Sequence, residues 1–160
     1  MQLLGAGTIL REVIAGAELL RDDFGVESDV FSVPSFTELR RDGMEAERWN
    51  LLHPGEDERA PYVASVLDDR PAVAATDYMR AFADGIRPFV PRPYTVLGTD
   101  GFGRSDYRAT LRRFFEVDRH HVAVAALSAL VADGSLGPAT VAKAIERYDI
   151  DTESAAPWRR

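Results

Sequence analysis

Apolar residues along the chain alternate between short, nearly continuous runs and longer stretches spaced by three and four. The first run, Gln2-Leu3-Leu4-Gly5-Ala6, predicts a buried strand ending in Gly5-Ala6-Gly7-Thr8. Ile9, Leu10, Val13, Ile14, Ala17 and Leu20 follow at helical spacing, which turns one stripe toward a core, and Gly25 stops that helix. Residues 29–33 (DVFSV) predict a second strand. Ser35-Phe36-Thr37-Glu38 fits a capping box, with the serine hydroxyl on the Glu38 amide and the Glu38 side chain reaching back; a polar helix runs from there to about Leu52. Pro54-Gly55 and the acidic stretch after it read as a loop, and a short helix around 62–67 leads to a third strand at 72–76. A helix over 78–86, closed by Gly85, precedes a fourth strand at 95–97. After a glycine-rich segment, three helices are predicted at about 107–115, 118–133 and 138–148. Asp118 caps the second, and Gly137-Pro138 opens the third. Residues 122–131 (VAVAALSALV) have strand-like composition, but their length and alanine content favour a buried helix. The domain spans 1–150, and residues 151–160 read as a frayed tail.

Strands separated by helices predict an α/β fold: a three-layer sandwich around a mostly parallel sheet of four or five strands. A length of 160 residues suits one domain, and 46% hydrophobic content suffices for its core. No repeat or linker divides the chain.

The composition excludes several classes of chemistry. There is no cysteine, hence no disulfide, thiolate nucleophile or cysteine-ligated metal. No apolar run approaches the roughly 18 residues of a membrane span. The start lacks a signal peptide's basic region and cleavage site, so the cytoplasm is the expected location and no membrane partner is expected. The net charge is −7, and the arginines are scattered rather than striped, which argues against nucleic acid.

Gly5-Ala6-Gly7 after a first strand invites a dinucleotide-binding reading, but Leu10 occupies the position of the third glycine and the second strand ends without an acidic residue. A tight strand-to-helix turn explains these glycines better. His120 and His121 are adjacent, so on a helix they point about 100° apart and cannot share one ion. Glu116 stands four residues before His120, but Asp118 interrupts the helix between them and no third ligand is evident. His53, at a helix end, reads as a partner for terminal carbonyls rather than an acid or base. Asp68-Asp69 and Glu56-Asp57-Glu58 read as solvated charges. The serine motif of the hydrolases, G-x-S-x-G, is absent.

The segment from Gly98 to Asp106 is the most unusual. Asp100, Gly101, Phe102, Gly103, Arg104 and Ser105 follow a strand and precede a helix. Loops at the carboxy ends of parallel strands are where open sheets gather ligands. The segment is therefore a candidate interface or anion-binding loop. From residues alone, the reading ends at an α/β domain with no assembled active site: no catalytic, cofactor or metal residue is assigned.

The strings QLLGAGTILREV, SDVFSVPSFTELRRDG, ERWNLLHP, PAVAATDYMRAFADGIRPFVP, YTVLGTDGFGRSD and RATLRRFFEVD occur in order. Together they closely resemble the last domain of the large homodimeric pyruvate dehydrogenase subunits of bacteria, from Gln2 to about Asp151. The SVPSF turn and FGRS element are similar, more distantly, to the carboxy-terminal domain of transketolases.

The resemblance implies a transketolase-like carboxy-terminal fold, including one antiparallel strand. It also implies a parent enzyme dependent on thiamine diphosphate and magnesium, which decarboxylates pyruvate and reductively acetylates lipoyl groups. The chain lacks G-D-G with its asparagine-rich metal-binding segment and the glutamate that activates the aminopyrimidine, both of which belong to upstream domains in the family. No cofactor is therefore expected in this fragment. Met1 abuts the first strand, where the family arrives from hundreds of preceding residues, so the chain is expected to be a fragment.

The expected role is structural support and assembly. The expected partners are sister domains, the second subunit of the homodimer and the dihydrolipoyl acetyltransferase component. The alternative is a stand-alone ligand-binding or docking domain that uses Asp100–Ser105.

Overall fold

A computed structural model describes residues 1–91 and 93–160. Strands β1 (Gln2–Gly5), β2 (Asp29–Ser32), β3 (Ala72–Ala75) and β4 (Tyr94–Leu97) form one sheet in the order β2-β1-β3-β4. Every pairing is parallel, with Leu3 opposite Val30 on one side and Val73 on the other. The antiparallel strand implied by the resemblance is absent among the described residues. β2 instead stands at the edge, largely exposed.

The period-two alternation of side chains splits the core between the two faces. Leu3 and Val73 face a cluster with Val13 and Leu20 of α1 (Leu10–Phe24), Val122 and Leu127 of α6 (Arg119–Ala132) and Ala144 of α7 (Pro138–Arg147). Leu4, Ala72, Ala74, Tyr94 and Val96 face Phe36 of α2 (Phe36–Leu52), Val63 of α3 (Tyr62–Val66) and Ala83 of α4 (Arg80–Asp84). α5 (Arg108–Phe114) joins the first layer through Phe115 at its end. Each fully buried Leu, Ile or Val contributes about 1.5–3 kcal/mol.

Close packing fixes two helix glycines. A Cβ at Gly16 would sit 2.9 Å from Val122, so its absence lets α1 and α6 cross closely. A Cβ at Gly43 would sit 2.4 Å from the Phe89 ring. Gln2, within a fully buried strand, is satisfied: its amide donates to the Asp68 and Arg70 carbonyls at 3.2 and 2.8 Å and accepts from the Asp68 amide at 3.0 Å.

Several local expectations change. Ser35 accepts from the Glu38 amide at 3.2 Å as a cap should, but the Glu38 carboxylate pairs with Arg41 instead of reaching back. Gly25 adopts φ 65° and closes α1 as read, whereas Gly85 stays right-handed at φ −59° and abuts the Arg40 side chain. The helix expected over 78–86 shortens to five residues followed by a 3-10 turn at Arg87–Phe89. Asp68 is not merely solvated: Arg70 grips it from both side chain and backbone, which holds its carboxyl down at about 2. Nor is the tail frayed. Pro157–Arg159 forms a 3-10 turn with Pro157 buried, Arg80 lies 4.5 Å from the Trp158 ring, and Arg160 pairs with Glu116 at 3.1 Å.

Asp118 caps α6 as the sequence predicts, accepting from the His121 amide at 3.0 Å and meeting its Nδ1 at 2.7 Å. His120 and Arg113, both at 3.6 Å, also face it. Burial by itself would raise this carboxyl, but the His121 hydrogen bonds and the flanking positive charge outweigh that and hold it at about 2. A carboxylate depressed on folding adds stability above its unfolded value, and that stability is lost as pH falls from about 4 through about 2. Asp118→Asn should therefore cost about 2 kcal/mol at neutral pH in denaturant titrations, a deficit that vanishes near pH 2. A pH-independent deficit would contradict this.

Candidate functional site

β1 hands the chain to α1 on one face of the sheet, and β3 hands it toward α4 on the other. Their carboxy ends thus diverge, and such a switch point leaves a crevice in parallel sheets. Gly7, at φ 56°, makes the turn out of β1 and lies so close to Asp77 that a Cβ would meet its carboxylate at 3.0 Å. Gly5 similarly lets β1 run against the start of α1, with a Cβ position only 2.8 Å from Leu10 Cα. Both glycines serve the tight turn expected of them. Thr8 Oγ1 donates to Asp77 Oδ2 at 3.3 Å, and Thr99 donates through its hydroxyl to the Asp77 carbonyl at 2.7 Å and through its amide to the Tyr78 carbonyl at 2.9 Å.

The loop after β4 covers this edge, pinned at its near end. Asp100 accepts from the Arg80 amide at 3.1 Å and Nε at 2.5 Å. Gly101 adopts φ 111° and packs against the tail, where a Cβ would come within 3.0 Å of Trp158 Cα. Phe102 points outward, 86% exposed. Gly103 has open space around it, Arg104 stacks 4.2 Å from the Phe114 ring, and Ser105 is exposed. The six predicted residues therefore do not form one cluster. Asp100 and Gly101 hold the loop, Gly101, Gly103 and Arg104 border a crevice, and Phe102 and Ser105 face outward.

That crevice, about 430 Å³, is walled by Thr8, Asp77, Thr99, Arg104, Arg108 and Arg112. Ile9, Leu111, Phe115 and Val117 give it an apolar floor. Arg112 is committed: its guanidinium donates to Glu12 at 2.7 Å. Glu12, almost wholly buried, also accepts from the Arg119 amide and Nε, each at 3.0 Å. Burial would raise the Glu12 carboxyl, but the bonds from Arg119 and the charges of Arg119 and Arg112 hold it below the usual carboxylate range. The Arg108 side chain, in contrast, takes part in no hydrogen bond or ion pair among the described residues.

The histidines lie elsewhere. His53 ends α2 with Nδ1 2.9 Å from the Trp49 carbonyl and stacks on the Trp49 ring at 3.5 Å. Arg59 also lies over that indole, at 3.3 Å. His121 serves Asp118, and His120 packs against Tyr148. Among the described residues no group of three or more His, Asp or Glu could hold a metal ion. The crevice does not suit magnesium, since its lining offers one carboxylate, Asp77, beside three guanidinium side chains. No chemistry through that cofactor is assigned to these residues. No helix is long and apolar enough to cross a membrane among the described residues.

The family model described as transketolase-like TK C-terminal domain matches residues 1–118. The chain belongs to this transketolase-like family. Its sequence is similar to proteins named pyruvate dehydrogenase E1 component. It is 58% identical over 159 residues to that of Cupriavidus necator, 58% over 160 residues to that of Pseudomonas aeruginosa and 56% over 158 residues to that of Escherichia coli K12. Each match takes in 98% of this chain but 18% of the relative, so the transketolase-like domain spans under a fifth of the proteins it matches.

The sequence reading of this domain located the loop but missed the crevice. Thr8 and Asp77 follow two different strands and Arg112 lies in α5, so the sheet order is what brings them together. Glu12 carried a faint signal, a carboxylate beside the apolar stripe of α1. Removing it should leave two guanidiniums without their carboxylate, that of Arg112 mostly buried. Glu12→Ala is expected to cost about 3 kcal/mol in chemical denaturation, because breaking one side of a buried pair strands the other. A loss near zero would mean the cluster is solvated.

Proposed function

We propose that this domain is a structural and assembly element of a thiamine-diphosphate-dependent pyruvate dehydrogenase subunit. In the whole enzyme, pyruvate is decarboxylated and lipoyl groups are reductively acetylated, with thiamine diphosphate and magnesium held by parts of the subunit outside these residues. The observation that carries the reading is the 56–58% identity along 98% of the chain to proteins named pyruvate dehydrogenase E1 component, of which it amounts to 18%. The reading places the protein in the bacterial cytoplasm, within a homodimer. Its partners are the sister domains, the second subunit and the dihydrolipoyl acetyltransferase component.

Two surfaces support an assembly role. β2 is an edge strand flanked by an apolar groove of about 440 Å³, lined by Leu4, Phe31, Leu39, Tyr62 and Val66. An additional antiparallel strand, supplied by chain outside residues 1–160, would pair with this edge and fill the groove. At the carboxy end of the sheet, Tyr78, Met79 and Phe82 are exposed, with Tyr78 and Phe82 in edge-to-face contact at 5.9 Å. Phe102 and Tyr107 add two outward aromatic rings. Apolar surface of this extent associates when left bare.

The 160-residue chain should therefore self-associate with rising concentration in light scattering, and the double variant Tyr78→Ser/Phe82→Ser should weaken that association. Supplied with thiamine diphosphate and magnesium, it should show no pyruvate turnover. Release of carbon dioxide from pyruvate by this chain alone would overturn the proposal.

A further inference from the structure

The crevice at the switch point is not used by an assembly role, and its chemistry is specific. Of its three guanidiniums, Arg112 is paired with Glu12, which it shares with Arg119, whereas among the described residues Arg104 stacks on Phe114 and the Arg108 side chain is unengaged. Two arginines with no carboxylate partner among the described residues thus line a cavity in a protein whose net charge is −7. Asp77 lines the same cavity, and among the described residues its carboxylate accepts from the Thr8 hydroxyl alone, at 3.3 Å, beside Thr99. Ile9, Leu111 and Phe115 supply the apolar floor.

We infer that this crevice binds a small phosphorylated molecule that also carries free hydroxyl groups. Arg104 and Arg108 take the phosphate, since guanidinium donors match its oxygens in pairs. Asp77 rejects a second anion but accepts hydrogen bonds from the ligand's hydroxyls, so the acidic wall selects for the uncharged end of the molecule. The carbon skeleton lies on the apolar floor. A volume of about 430 Å³ falls within the range of small-molecule sites. Gly101 and Gly103 border the cavity, so no side chain from those two positions narrows it.

Backbone amide NMR on the 160-residue chain, titrated separately with inorganic phosphate and glycerol 3-phosphate, tests this. Both should saturate, with shifts concentrated at Thr8, Asp77, Thr99 and residues 103–108, and glycerol 3-phosphate should bind more tightly. Arg108→Gln and Arg104→Gln should each weaken both ligands by roughly tenfold. Asp77→Asn should remove the advantage of glycerol 3-phosphate while leaving inorganic phosphate bound. Arg48→Gln, on an exposed stretch of α2, should change neither. The inference fails if shifts scatter over arginines throughout the surface, if neither ligand saturates, or if Arg108→Gln binds as the unaltered chain does. It fails also if the two ligands bind equally and Asp77→Asn has no effect.

Discussion

A parallel sheet whose crossovers run over both faces leaves its inner strands no contact with water, and this constraint governs the domain. All four residues of β1 and of β3 are buried, including Gln2, whose amide has to be matched atom for atom by the 68–70 turn. With β3 reduced to Ala-Val-Ala-Ala, most of the bulk that seals it comes from its neighbours and the covering helices, such as Leu3, Val13 and Leu127 on one side and Phe36, Ile86 and Phe89 on the other. The two layers are therefore of different make. One is a helix pair drawn together at Gly16; the other rests on an aromatic ring seated on Gly43.

The same constraint explains which features were readable. Buried strands and amphipathic helices write their periods directly into the sequence, so β1, α1, α6 and their caps at Gly25 and Asp118 were legible from spacing. The run 122–131 was assigned to a helix by length and alanine content, and it folds as one. Features set by distant partners were not legible. Glu38 turns to Arg41 rather than to its own helix start, Gly85 answers to Arg40, and the final residues are ordered by Arg80 and Glu116, far away in sequence.

The loop from Asp100 to Ser105 shows the limit sharply. Its composition marked it as unusual, but composition did not distinguish residues that hold the loop from residues that face the crevice. That distinction came from Asp77 and Thr8, which lie after other strands, and from a buried carboxylate on α1 that ties up one of three arginines. A crevice assembled from several connections has no local motif to find.

The docking of Pro157 and Trp158 against Gly101 has a consequence for how that loop behaves. Asp100 is clasped by Arg80 and Gly101 is packed beneath the tail, so the first two residues of the loop are held in place. Ordering a residue costs about 1–2 kcal/mol of backbone entropy, so immobilising the whole loop from a floppy start would be expensive. Here Pro157 and Trp158 have already done part of that work, acting as a splint for a segment more than fifty residues upstream.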